Sequence, residues 1–157
     1  MRRFTDNQGR EWPITVNVAA VKRVRTLAGV DLLGLLDPQQ QVAEKLADPV
    51  TLCDVLFAVV APEADARGVT SAAFGEAMAG DAIDSATHAL MEEVVDFFPN
   101  AQRRELGHKV LKAADLYAKM QTDAALKDLA DKTPEAIAGA LWEKHGPQSG
   151  NAPESSD

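Results

Sequence analysis

The chain has 157 residues, of which 46% are hydrophobic and 25% charged, with a formal net charge of -8 and a single cysteine. These are the values of an ordinary globular chain of single-domain size, and they exclude a fibrous or wholly disordered polypeptide. The lone Cys53 excludes an internal disulfide framework and a multi-cysteine zinc site, and it points to a reducing, cytoplasmic setting. No apolar run approaches the ~20 residues that span a bilayer, so no membrane partner is expected.

In chain order, residues 1–16 read as a β-hairpin. Asp6, Asn7, Gln8 and Gly9 supply the turn, and Phe4, Trp12, Ile14 and Val16 supply strand-type side chains in partial alternation. Asn17 is placed to cap a helix over Val18 to Ala28, and Gly29 to end it. After an apolar connector, Asp37-Pro38 starts a short helix through Leu46, and Asp48-Pro49 starts another whose residues 50–60 are apolar nearly all round. That second helix is expected at the centre of the domain, stopped by Ala61-Pro62, with a polar loop over 63–69.

Thr70 or Ser71 then caps a short helix carrying Phe74 and Met78, and Asp81 caps a longer one to Phe98. Pro99-Asn100 closes that helix and opens the longest, Ala101 to Ala130. Along it Leu106, Val110, Ala113, Tyr117, Met120 and Ala124 recur three and four residues apart, a heptad-like seam. Thr133-Pro134 caps the last helix, which holds Ile137, Leu141 and Trp142. The expected fold is mainly α, a small N-terminal hairpin packed on a bundle of about six or seven helices, in one domain to residue 146. Residues 147–157 carry no large apolar side chain and read as a disordered tail.

Charge is uneven: residues 1–30 carry +4, residues 31–100 carry -11 and residues 101–157 carry -1. The acidic middle repels a phosphate backbone, so nucleic acid is expected only at the basic helix that offers Arg23 and Arg25. A small intracellular DNA-binding regulator using the basic N-terminal hairpin and that helix is the alternative reading. Asp84, His88, Glu92 and Asp96 share a helix face, and Glu105 and His108 form one E-x-x-H unit, but neither set brings ligands from a second element. Arg103 and Arg104 in the first turn of the long helix call for acids, with Glu92, Glu93 and Asp96 close in sequence. No nucleophile elbow, phosphate loop or cofactor motif is present, and no enzymatic activity, metal or cofactor is expected.

Several segments belong together: Phe4-Thr5-Asp6-x-x-Gly9-x-x-Trp12, then Val18-x-x-Val21-Lys22-Arg23-Val24-Arg25 and Val30-Asp31-Leu32-Leu33. Asp48-Pro49-Val50-x-Leu52, Gly68-Val69-Thr70-x-x-x-Phe74 and the acidic-apolar segment ending Phe97-Phe98-Pro99 complete the set. Over roughly residues 1–105 these segments resemble the small tail assembly chaperones of long-tailed bacteriophages and prophages. The resemblance implies a non-enzymatic protein that coats the helical tape-measure protein and recruits tail-tube subunits in the host cytoplasm, with self-association left open. The expected client groove is Leu111, Leu116, Tyr117 and Met120 with Trp142, residues that the sequence alone allows equally to be core.

Overall fold

The computed structural model describes residues 1–146, so the expected tail at 147–157 lies outside the described residues. It is mainly α-helical, with a two-stranded hairpin at the N-terminus. Strands β1 (Arg2–Thr5) and β2 (Glu11–Ile14) pair antiparallel, with Phe4 opposite Trp12 and Arg2 opposite Ile14. Alternation buries Phe4, Trp12 and Ile14 on one face and leaves Arg3, Thr5 and Glu11 on the other. Both rings of the buried face stand edge-on to Phe74, Trp12 at 5.3 Å and Phe4 at 6.3 Å between centroids.

Asp6 does more than make the turn. Its side chain is fully buried, and the carboxylate accepts from the backbone N–H of Gln8 (2.9 Å) and Arg10 (3.0 Å), from Arg10 Nε (2.7 Å) and from Trp12 Nε1 (2.8 Å). Burial alone would raise its pKa, but the donors from Trp12, Arg10 and Gln8 outweigh that and hold it below the usual carboxylate range. Arg10 and Arg67 lie over the Trp12 ring at 5.5 and 5.0 Å, and Arg67 also donates to the Glu11 carbonyl at 2.7 Å. The hairpin is thus anchored by a core ring, a buried charge and two cations.

Helix α1 (Val18–Ala28) is capped by Asn17, whose side chain accepts from Ala20 N–H, and ends at Gly29. It buries Ala20, Val21 and Val24 and packs on α3 (Pro49–Arg67), the central helix of the first unit. The region expected as one helix from Asp37 to Leu46 is instead a 3-10 turn at Pro38–Gln40 and α2 (Val42–Ala47), broken at Gln41, whose φ of 51° no helix accommodates.

The expected stop at Pro62 does not occur. Helix α3 continues through Pro62 to Arg67 and ends at Gly68, so the expected loop at 63–69 is largely helix. Pro62 deprives the Ala58 carbonyl of its usual donor. Arg23 supplies a replacement: Nε donates to the Ala58 carbonyl at 3.0 Å and Nη2 to that of Val59 at 3.2 Å.

Helix α4 (Ser71–Glu76) is capped by Thr70, and α5 (Asp81–Phe97) follows. The cap of α5 is Gly80, at φ 54° and ψ -126°, with Asp81 already in the first turn rather than capping as expected. That backbone conformation is available essentially to glycine alone. Strand β1 packs on α5, which buries Ala82, Ala86, Ala89, Leu90, Val94 and Val95.

Two helices remain, α6 (Ala101–Ala130) and α7 (Pro134–His145). The described residues fall into two compact units, Met1–Lys112 and residues 113–146. The first unit holds the hairpin, α1 to α5 and the opening turns of α6, around a core that includes Trp12, Ile14, Leu56, Phe74 and Leu90. The second holds the rest of α6 and α7. Among the described residues, no helix is long and apolar enough to cross a membrane.

Candidate protein-docking surface

Asn100 opens α6, its side chain accepting from Gln102 N–H at 2.8 Å and Arg103 N–H at 3.3 Å. One side of the first turns is held against α5. Arg104 Nη1 donates to the Phe98 carbonyl at 2.7 Å, and His108 Nε2 meets Asp96 Oδ1 at 2.8 Å. Gly107, the one buried residue of α6, abuts Val95 so closely that a Cβ there would stand 2.7 Å from Val95 Cγ1. At 3.6 residues per turn, Arg104, Gly107, His108 and Leu111 share this side.

The apolar seam lies elsewhere on α6. Leu106 and Val110 are exposed, and farther along Leu116, Tyr117 and Met120 are 61, 64 and 62% exposed. Trp142 on α7 is 68% exposed, and Leu126, Leu129 and Leu141 are exposed as well. Helix α7 has no buried residue, although Thr133 caps it by accepting from Ala136 N–H. Of the expected groove residues, Leu116, Tyr117, Met120 and Trp142 are therefore surface residues of this chain, and Leu111 is half-buried. Monomeric proteins seldom display many large apolar side chains together unless something else covers them.

The other constellations are held by internal contacts. Arg2 lies among Glu92, Glu93 at 3.1 Å and Asp96 at 2.8 Å, tying β1 to α5. Asp96 is held below the usual carboxylate range by Arg2 first and, against its burial, by His108. This network takes the acids that Arg103 and Arg104 were expected to find, and Arg104 turns to the Phe98 carbonyl instead. Its sequence signal is faint, since Arg2 and its partners are 90 to 94 residues apart.

His88 Nδ1 stands 3.7 Å from Glu92, and Glu105 pairs with Lys109 at 2.8 Å. Among the described residues, no three His, Cys, Asp or Glu side chains converge as a metal site would require. The half-buried Cys53 thiol is pushed up by burial and by the Asp54 charge, the opposite of what an activated thiolate needs.

The basic helix is also engaged. Arg23 is committed to the α3 backbone, and Arg25 pairs with Asp31 at 2.7 Å. Comparison with protein-family models, curated proteins and solved structures finds no match to this chain. The functional argument therefore rests on the chemistry of its surfaces.

Proposed function

We propose that this protein is a non-enzymatic phage tail assembly chaperone that holds helical segments of the tape-measure protein on α6 and α7 and recruits tail-tube subunits. The observation that carries this reading is the set of exposed apolar side chains, Leu116, Tyr117, Met120 and Trp142, on helices that are properly capped yet bury almost nothing. An amphipathic client helix is recognised by such apolar positions at i, i+3, i+4 and i+7. The net charge of -8 keeps a protein with these faces dispersed and favours basic client segments. The resemblance over residues 1–105 supplies the identity of the client. The DNA-binding alternative is weakened because Arg23 and Arg25 already have partners within the chain.

The test is affinity purification of the tagged protein from cells expressing the surrounding genes, with mass-spectrometric identification and stoichiometry of what co-purifies. The expected result is a long, helix-rich protein carrying many copies of this one, lost on Tyr117→Asp with Met120→Asp. Recovery of the protein alone, or with DNA, overturns the reading.

A further inference from the structure

We draw no further inference here: the strongest candidate, the apolar depression that Val50, Cys53, Phe74, Met78 and Ile83 line between α3, α4 and α5, is an unpartnered apolar face, and nothing in the structure shows what covers it.

Discussion

Residues 1–112 and residues 113–146 are written in the same helical grammar, with caps at the starts and apolar side chains at three- and four-residue spacing, yet their apolar residues end in opposite environments. In the first unit Val21, Val24, Leu56, Leu90 and Val94 are buried, and among the described residues no buried side-chain nitrogen or oxygen lacks a hydrogen-bond partner. In the second, Leu116, Met120, Leu126, Leu141 and Trp142 face outward. Burying a Leu or Met side chain contributes roughly 1.5–3 kcal/mol, a stabilisation these positions forgo in the isolated chain. An amphipathic pattern thus reports that a helix carries an apolar stripe. It does not report whether the chain buries that stripe.

The contrast is broken or sharpened by substitution, and the largest effect is expected at the hairpin. Trp12→Ala removes a fully buried ring and leaves Asp6 without one of its donors, and should cost about 3–5 kcal/mol by urea denaturation. A much smaller loss would mean that the hairpin is peripheral and that the first unit resembles the second. Next comes Asp6→Asn, which keeps the volume and removes the charge, for about 2–3 kcal/mol. Because the folded carboxyl lies below its ordinary value of 3.8, its contribution is present above that pH and disappears as pH falls through the folded value. The wild-type urea midpoint should therefore fall more steeply below that pH than the midpoint of Asp6→Asn.

Arg23→Ala removes the donor that replaces the missing Pro62 N–H at the Ala58 carbonyl, together with its second bond to the Val59 carbonyl, and should cost about 1–3 kcal/mol. In a Pro62→Ala background residue 62 regains an N–H for the Ala58 carbonyl, so the same substitution should cost less, and a double-mutant cycle measures the difference. Equal costs in the two backgrounds would separate Arg23 from the proline. The smallest effect belongs to the second unit. Leu126→Ser with Leu129→Ser, both exposed and outside the α6 seam, should change stability by no more than about 0.5 kcal/mol. A marked drop in the urea midpoint would show these residues buried in solution and collapse the distinction between the units.

Much of the fold was legible because it is local. Asn17, Asp48, Thr70, Asn100 and Thr133 all cap as their sequence contexts indicate, and the hairpin, α1, α6 and α7 fall where turn chemistry and periodicity place them. Each of these signals is carried within four residues of where it acts. One error came where a distant group overrode the local rule. Pro62 is a helix stop on its own, but Arg23, 35 residues before Ala58, supplies hydrogen bonds to the Ala58 and Val59 carbonyls. At Asp81 the cause is local: the neighbouring Gly80 takes the cap position in a conformation that only glycine adopts readily, which puts Asp81 in the first turn.

The candidate surface divides in the same way. That Leu116, Tyr117, Met120 and Trp142 belong to apolar stripes followed from spacing, whereas their exposure could not, because the same spacing describes the buried face of α5. By itself the sequence determined the class of fold, the helix starts and which side chains form stripes, since caps, turns and periodicity act within a single turn of backbone. Only the tertiary structure decided that the Arg2 network ties β1 to α5, that α3 runs on through Pro62, and that the α6 and α7 stripes stay open. Those outcomes depend on which surfaces meet across tens of residues, and no local pattern encodes that choice.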